Sequence, residues 1–242
     1  MRYFTVVGSR KTPAKEAKIL RDFSEQLLRA GWTGRSGLSG EADLALNRAL
    51  DRYDGLAELY IPWDRFNDYT HGALDGRVIY PKRLGNDAKA SAMVAELHPV
   101  WERLSRGDKA LHTRNAYQVL GKDLATPSDV LMCWAPVNRA GQVRGGTATA
   151  YNLADQHGVP VFNIAVPGQL DALDTWIESN VNDVSKGRGI SKSIIFTDDT
   201  PYITVPIGMY TGNLQSVVRG DLFARIEVEH NQPSGSNIFV NH

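Results

Sequence analysis

The stretch YFTVVGSR, residues 3–10, sets the fold class of this sequence. Its first five residues are aromatic or β-branched, which favours a β-strand, and Gly8 ends that strand. The segment that follows carries apolar residues at helical spacing up to Gly31, with Pro13 suited to the first helical position and Thr12 to the N-cap. A strand, a glycine turn and a helix in this order are typical of a parallel α/β sheet.

The same alternation continues along the chain. Further strands are predicted at 32–35, 56–61, 129–134 and 159–164, and helices at 43–50, 89–104, 108–120, 147–157 and 169–181. Parallel strands need long crossover connections, and helices supply them here. The sequence therefore predicts an α/β fold, a Rossmann-like parallel sheet flanked by helices, with a small β-rich C-terminal appendage.

The composition divides the chain into two parts. Residues 1–185 form the predicted Rossmann-like nucleotide-binding domain, in which 63–107 are interpreted as a lid or insertion because its first half shows no regular period. Residues 186–242 contain short β-prone runs separated by Gly, Pro, Asn and Asp, which indicates a β-rich C-terminal extension. We interpret this extension as an addition to a sheet or an oligomer arm, and a homo-oligomer is expected.

Composition also restricts the class of function. Lys and Arg number 27, as do Asp and Glu, so the formal net charge is zero and DNA binding is less favoured than a small ligand. The single cysteine, Cys133, excludes an intramolecular disulfide, and the histidines lack ligand spacing, so no metal is expected. No apolar run has membrane-spanning length, so the sequence predicts a cytoplasmic protein without membrane contact. No separate cofactor is expected either.

Three glycine-containing segments, 8–10, 36–43 and 144–147, follow predicted strands or open predicted helices. In a parallel sheet the carboxyl ends of the strands share one edge, where ligands bind near the topological switch point. Glycine lets the backbone approach a phosphate, and a helix N-terminus supplies free N–H groups and a positive dipole end. Together the segments predict a phosphate-binding site rather than three plain turns, made of Gly8, Ser9, Arg10, Ser36, Gly37, Gly145, Gly146 and Thr147.

Two groups of motifs resemble a known family, the SLOG superfamily. Gly8-Ser9-Arg10 and the run SGLSGEAD, 36–43, resemble the opening of this group, which includes the DNA-processing protein DprA, the LOG phosphoribohydrolases and ADP-ribose-type sensors. The run LHTRN, 111–115, and the later Gly145-Gly146-Thr147 are similar to the Met-His-x-Arg-Lys and Pro-Gly-Gly-x-Gly-Thr motifs of LOG enzymes. The chain also resembles bacteriophage-encoded members, which would place it in a host cytoplasm. The resemblance covers about residues 3–165.

The resemblance implies a nucleotide-derived small molecule as ligand, a nucleoside monophosphate or an ADP-ribose-like compound. The protein would then be a sensor, a sequestering protein or a weak enzyme. Two alternatives stay open: LOG-like hydrolysis of the N-glycosidic bond of a nucleoside 5′-monophosphate, and DprA-like binding of single-stranded DNA in recombination. Arg114 and Arg10 would clamp a phosphate, Asn115 stands at the position of the family's lysine, and Asp43 matches an aspartate that holds the local turn.

One departure from the family bears on catalysis. LOG enzymes carry a catalytic glutamate soon after the last motif glycine, and the run TATAYN, 147–152, contains no carboxylate. Glycosidic cleavage normally needs a carboxylate beside the oxocarbenium-like transition state. Glu41 is therefore the candidate catalytic carboxylate and Arg114 a candidate catalytic cation. The alternative role for Arg114, as for Arg10, is an ion pair with Asp43, Asp129 or Glu41 that joins two elements.

Overall fold

The computed structural model describes residues 1–187, 194–197, 200–204 and 225–227, with side chains described through residue 181. The chain divides into two compact units, Met1–Ile177 and Glu178–His242.

The first unit is built on a six-stranded sheet whose strands are all parallel. They are β1 (Tyr3–Gly8), β2 (Thr33–Ser36), β3 (Ala57–Tyr60), β4 (Val78–Ile79), β5 (Val130–Trp134) and β6 (Val161–Asn163). The order is β4-β3-β2-β1-β5-β6. Strands β2 to β4 are therefore added on one side of β1, and β5 and β6 on the other. The topological switch point therefore lies between β1 and β5, and the predicted Rossmann-like α/β fold is confirmed.

Within the described part of the chain, six α-helices accompany the strands, and two short 3-10 helices span Pro81–Leu84 and Trp101–Arg103. The α-helices are α1 (Ala14–Arg29), α2 (Glu41–Arg52), α3 (Asp87–Leu97), α4 (Arg106–Leu120), α5 (Gly146–Gln156) and α6 (Gln169–Gly187). Helices α1 and α2 pack together, and α4 packs against both α3 and α5. The two groups of helices lie on opposite faces of the sheet, because successive side chains of β1 point to opposite faces. Phe4 packs beside Leu46 of α2 on one face. On the other face the Thr5 hydroxyl donates to the Gln118 carbonyl of α4.

The layer that contains α3, α4 and α5 has a continuous hydrophobic core. Val7 and Leu131 of the sheet, Tyr117 of α4 and Leu153 of α5 are all buried in it. Cys133 belongs to the same cluster, and burial raises the pKa of its thiol to about 12. The cysteine is therefore an inert core residue, and the core fixes α4 and α5 against the two central strands.

The segment 63–107 contributes to the sheet, which the sequence interpretation as a lid or insertion did not anticipate. Val78–Ile79 pairs with β3 as the edge strand, and α3 packs on α4. A two-residue strand is too short to show a period, so it escaped prediction. The predicted cap of α1 was also wrong: Pro13 occupies the N-cap, and the Thr12 hydroxyl instead donates to the Ser9 carbonyl at 2.6 Å.

The second unit contains three described strands, β7 (Ile194–Thr197), β8 (Thr200–Thr204) and β9 (Arg225–Glu227). They form a sheet in the order β7-β8-β9, with the first pair antiparallel and the second parallel. The predicted β-rich appendage is thus present, while one of its β-prone runs, Val217-Val218, lies outside the described residues. The two units divide within α6, earlier in the chain than the predicted boundary after residue 185.

Candidate functional site

A cleft of about 350 Å³ lies at the carboxyl edge of the parallel sheet, beside the switch point between β1 and β5. The turn after β1, the start of α2, one face of α4 and the start of α5 form its walls. Its volume falls within the range of roughly 300–1,000 Å³ that is typical of small-molecule sites. The lining residues are Val7, Gly8, Ser9, Arg10, Lys11, Ser39, Asp43, Asp108, Leu111, His112, Arg114, Asn115, Gln118, Arg144, Gly145, Gly146, Thr147 and Ala150.

The structure brings most of the predicted site residues together in this cleft. Those that line it are Gly8, Ser9, Arg10, Asp43, Arg114, Asn115, Gly145, Gly146 and Thr147. Ser36, Gly37 and Glu41 do not line it. The first two lie directly behind its wall, and the third lies on the outer surface of α2.

Arg114 is buried in the wall of the cleft, with its side chain 7% exposed. Its Nη1 atom donates to the Gly37 carbonyl at 2.6 Å and lies 3.6 Å from Asp43 Oδ2. The alternative role considered for this arginine, an ion pair between two elements, is therefore observed. The Nε atom of Arg114 is also buried and has no hydrogen-bond partner among the described residues.

Asp43 is the acidic partner of this buried pair. Burial raises the pKa of its carboxyl group, and the Arg114 charge, the N–H groups of Ser39 and Gly8, and the Arg10 charge oppose that rise. Burial likewise lowers the pKa of Arg114, opposed by Asp43. Each charge therefore stabilises the other in a region from which water is largely excluded. The pair ties the start of α2 to α4.

Ser36 and Gly37 support this arrangement from behind. The Ser36 hydroxyl lies 2.7 Å from the Val6 carbonyl and 3.1 Å from the Asp43 carbonyl, both acceptors for its proton. A β-carbon at residue 37 would overlap the Arg114 guanidinium, so only glycine leaves room for that side chain. These two residues position the cleft wall rather than contact its interior.

The start of α5 forms the opposite wall. Gly145 is the N-cap residue with φ +78°, a left-handed conformation that glycine adopts without strain, and no side chain caps the helix. Asn115 Nδ2 donates to the Gly146 carbonyl at 2.9 Å, which fixes α4 against this helix N-terminus. A β-carbon on Gly146 would meet no atom within 4 Å, so the backbone there faces open space.

Gln118 of α4 lines the cleft and is fully buried. Within the described part of the chain, neither its amide nitrogen nor its amide oxygen has a hydrogen-bond partner. Buried side-chain polar atoms in proteins are paired in the large majority of cases, because an unpaired one costs about 1–3 kcal/mol. The amide is thus an unpaired donor and acceptor in the wall of the cleft.

His112 and Asp108 add polar groups on the same helix. The His112 Nδ1 atom lies 2.7 Å from the Thr149 hydroxyl, and its ring centroid lies 4.6 Å from that of His98. Burial first, and then the His98 charge, lower the pKa of His112 to about 4, so its ring is neutral at neutral pH. The Asp108 carboxylate accepts a hydrogen bond from the Ser105 hydroxyl at 2.7 Å.

Glu41 lies outside the cleft, which corrects its assignment as the candidate catalytic carboxylate. Its two carboxylate oxygens accept hydrogen bonds from Arg48 at 2.8 and 3.1 Å, on the exposed side of α2. That pairing lowers the pKa of Glu41. The first turn of α2 turns Asp43 inward and Glu41 outward, because residues two positions apart do not share a helix face. The carboxylates that line the cleft are Asp43 and Asp108.

Six lining residues with polar or charged side chains were not among the predicted site residues: Lys11, Ser39, Asp108, His112, Gln118 and Arg144. Three of them share one face of α4 with Asn115, at the helical spacing 108, 112, 115, 118. That spacing was the available signal. It was obscured because the same helix also carries a buried apolar face against the core.

The described residues contain no cluster of three or more His, Cys, Asp or Glu side chains that could hold a metal ion. Among these residues, no helix has the length and apolar character needed to cross a membrane.

The fold and the cleft define a Rossmann-like α/β protein with a polar site at its topological switch point. No protein-family model matches the sequence, and no curated protein matches it. The chain is similar in structure to DNA processing protein A from Helicobacter pylori, described with its single-stranded DNA binding mode, at a TM-score of 0.43 and 15% identity over 77% of this chain and 81% of that one. It is also similar in structure to DprA from Streptococcus pneumoniae, at a TM-score of 0.40 and 19% identity over 72% of this chain and 56% of that one. At these identities the similarity concerns the fold alone.

Proposed function

We propose that this protein binds a nucleotide or a nucleotide-derived ligand, such as a nucleoside monophosphate or an ADP-ribose-like molecule, in the cleft at the switch point. The observation that carries the proposal is the buried, unpartnered amide of Gln118, together with the unpartnered Nε of Arg114, in the cleft wall. An amide offers one donor and one acceptor edge, which matches the hydrogen-bonding edge of a nucleobase or the hydroxyls of a ribose.

The phosphate of this ligand would occupy the N-terminus of α5. The backbone N–H groups there lack a side-chain cap, the helix dipole is positive at that end, and Gly146 leaves space for close approach. Asn115 holds this turn in place through a hydrogen bond to the Gly146 carbonyl. Pre-organised backbone donors of this kind bind an anion without reordering the chain.

Exposed cations line the same cleft. Arg10, Lys11 and Arg144 line the cleft, and none of them forms an ion pair with a described carboxylate. Asp43 is already neutralised by Arg114, so the mouth of the cleft carries an excess of positive charge although the chain as a whole is neutral. Such local charge favours a phosphate and raises its rate of encounter.

Thermal-shift measurements with the purified protein test this proposal. The probes are the four common nucleoside 5′-monophosphates and ADP-ribose, with the corresponding nucleosides and inorganic phosphate as partial ligands. A ligand present at 100 times its Kd stabilises the folded state by about 2.7 kcal/mol, which raises Tm by several degrees. We expect at least one nucleotide to raise Tm more than its nucleoside or phosphate does alone. No shift with any nucleotide at millimolar concentration would remove the proposal.

Single-stranded DNA is a second candidate ligand, favoured by one observation: the exposed cations Arg10, Lys11 and Arg144 lie together at the mouth of the cleft. The zero net charge of the chain opposes a high affinity. We therefore expect single strands to bind with Kd of roughly 10⁻⁴–10⁻⁶ M at physiological salt, the range of non-specific binding. A nanomolar, steeply salt-dependent complex in fluorescence anisotropy would make single-stranded DNA the leading ligand instead.

A further inference from the structure

A second, smaller pocket lies at the same edge of the sheet, at the carboxyl ends of β3 and β4. Its volume is about 160 Å³, and its walls come from the ends of these strands, the start of α3 and the first half of α4. The space is smaller than the roughly 300–1,000 Å³ of a complete small-molecule site. It suits one chemical group of a ligand rather than a whole nucleotide.

The pocket is lined by more cations than carboxylates. Lys82, Arg106 and Lys109 line it, against the single carboxylate of Asp87. Lys82 and Arg106 form no ion pair with a described residue, and Lys109 pairs at 3.3 Å with Glu102, whose side chain is 90% exposed. A surface pair of this kind contributes little and is readily exchanged for a better partner. The pocket therefore offers two unpaired cations to an anionic group, and a third, Lys109, whose contacts are the exposed Glu102 and the Trp101 ring at 5.4 Å.

Arg114 separates this pocket from the main cleft and lines both. Its Nη1 atom is engaged by Gly37 and Asp43, while its buried Nε has no partner among the described residues. One side chain thus forms the shared wall, so the two spaces are adjacent along α4. A ligand that reaches beyond the main cleft on this side of α4 would place a second group near the smaller pocket.

We propose that the smaller pocket is a second phosphate subsite, held by Lys82, Arg106 and Lys109, and that the preferred ligand is a nucleotide with two separate phosphate groups. This inference rests on the proposed nucleotide function of the main cleft and names the substrate class more closely. Two kinds of ligand have this feature, a nucleoside bisphosphate and a dinucleotide with a 5′-phosphate, because in both of them two phosphates flank one ribose.

The experiment compares three ligands of the same base by isothermal titration calorimetry: the nucleoside 5′-monophosphate, the nucleoside 3′,5′-bisphosphate and the 5′-phosphorylated dinucleotide. For the wild-type protein we expect the second phosphate to tighten binding by about tenfold or more, the factor that corresponds to 1.4 kcal/mol. Tighter binding of the bisphosphate would identify a terminal phosphate as the preferred group, and tighter binding of the dinucleotide would identify a bridging phosphodiester.

Two double variants decide whether the smaller pocket is responsible. Lys82→Ala/Arg106→Ala removes two of its cations and is expected to abolish the tenfold gain while leaving the affinity for the monophosphate unchanged within about twofold. Arg83→Ala/Arg103→Ala is the matched control, because it removes the same charge from exposed positions that line neither the cleft nor the pocket. The control should keep the gain, which separates a local contact from a general effect of net charge.

The failure of this inference differs from failure of the proposed function. If the monophosphate binds and the second phosphate adds nothing, or if both double variants reduce the gain equally, the subsite is refuted while the main cleft remains a nucleotide site. If no mononucleotide, bisphosphate or dinucleotide binds, the proposed function itself fails. Binding restricted to longer single strands would also overturn the subsite, because the affinity would then depend on chain length rather than on a second phosphate.

Discussion

The Nη1 atom of Arg114 and the carbonyl oxygen of Gly37 are joined by a 2.6 Å hydrogen bond between the middle of α4 and the turn after β2. The same nitrogen lies 3.6 Å from Asp43 Oδ2, so one guanidinium holds both the turn and the start of α2. The cleft wall is therefore a single connected unit, and the absence of a side chain at residue 37 makes room for it.

The first prediction concerns this buried pair. Arg114→Ala should lower the free energy of unfolding by about 3–5 kcal/mol, because it leaves the Asp43 carboxylate buried without its partner. Arg114→Lys should recover only part of the loss, since an ammonium group cannot reproduce the forked contacts of a guanidinium. Urea denaturation measures both effects.

The double variant Arg114→Ala/Asp43→Asn provides the control for this pair. Because it removes the uncompensated charge as well, it should be more stable than Arg114→Ala alone. With Asp43→Asn as the second single variant, the free energies of unfolding should depart from additivity by about 1–3 kcal/mol, as expected of contacting residues. If the two substitutions were simply additive, the pairing would make no energetic contribution.

The second prediction concerns the phosphate position at α5. Gly146→Asp should abolish the rise in Tm that a nucleotide produces, because the new carboxylate would occupy the helix N-terminus and repel the phosphate. Gly146→Ala is the matched control, since a β-carbon there meets no atom within 4 Å and brings no charge. Thermal shifts of both variants with and without nucleotide measure the effect, and equal loss in the two variants would contradict the electrostatic explanation.

The third prediction separates binding from stability at Gln118. Gln118→Leu removes an unpaired buried amide with little change in volume, so the free energy of unfolding should stay equal or rise by about 1 kcal/mol. The affinity for the nucleotide should fall by roughly tenfold, because a hydrogen-bonding group in the cleft is lost. Calorimetry and urea denaturation measure the two quantities.

Gln156→Leu serves as the control for Gln118, because Gln156 is exposed on α5 and does not line the cleft. It should leave the nucleotide affinity unchanged. A Gln118→Leu variant that is destabilised and still binds normally would show that the amide has a purely structural role.

The fourth prediction concerns Glu41. Glu41→Gln should leave nucleotide affinity unchanged and lower stability by at most about 1 kcal/mol, because its partner Arg48 is an exposed surface cation. If the protein releases a free base from a nucleoside monophosphate, this variant should do so at the wild-type rate, as followed by chromatography. Loss of release would falsify the placement of Glu41 outside the reacting site.

The fifth prediction follows from the lowered pKa of His112. Its folded-state pKa of about 4 lies below the ordinary value of 6.5, so the unfolded chain binds more protons between these values and stability rises with pH across that window. His112 should therefore lower the free energy of unfolding at pH 5 by about 2 kcal/mol relative to pH 7.5.

Urea denaturation at both pH values checks the His112 effect, with His112→Asn as the comparison. The amide can still hydrogen-bond Thr149 but does not titrate, so the variant should lose about 2 kcal/mol less between pH 7.5 and pH 5 than the wild type. The neighbouring groups His98, Asp108 and Arg114 are retained in both proteins. An identical pH dependence would mean that His112 is not kept neutral by burial.

The sequence by itself determined the alternation of strands and helices, because hydrophobic periodicity and glycine turns are local properties. It also located the glycine segments at 8–10 and 144–147, since parallel strands share one carboxyl edge wherever they lie in the sheet. It missed the two-residue strand β4, whose formation depends on pairing with β3 rather than on its own residues.

Only the tertiary structure decided which side chains face the cleft. Asp43 and Glu41 are two positions apart, and the packing of α2 on the sheet turned the first inward to Arg114 and the second outward to Arg48. Gln118 had no sequence motif, and it became a cleft residue because α4 presents one polar face to that edge of the sheet. These outcomes depend on contacts between residues far apart in the chain, whose energies are fixed by burial and charge pairing that no local pattern records.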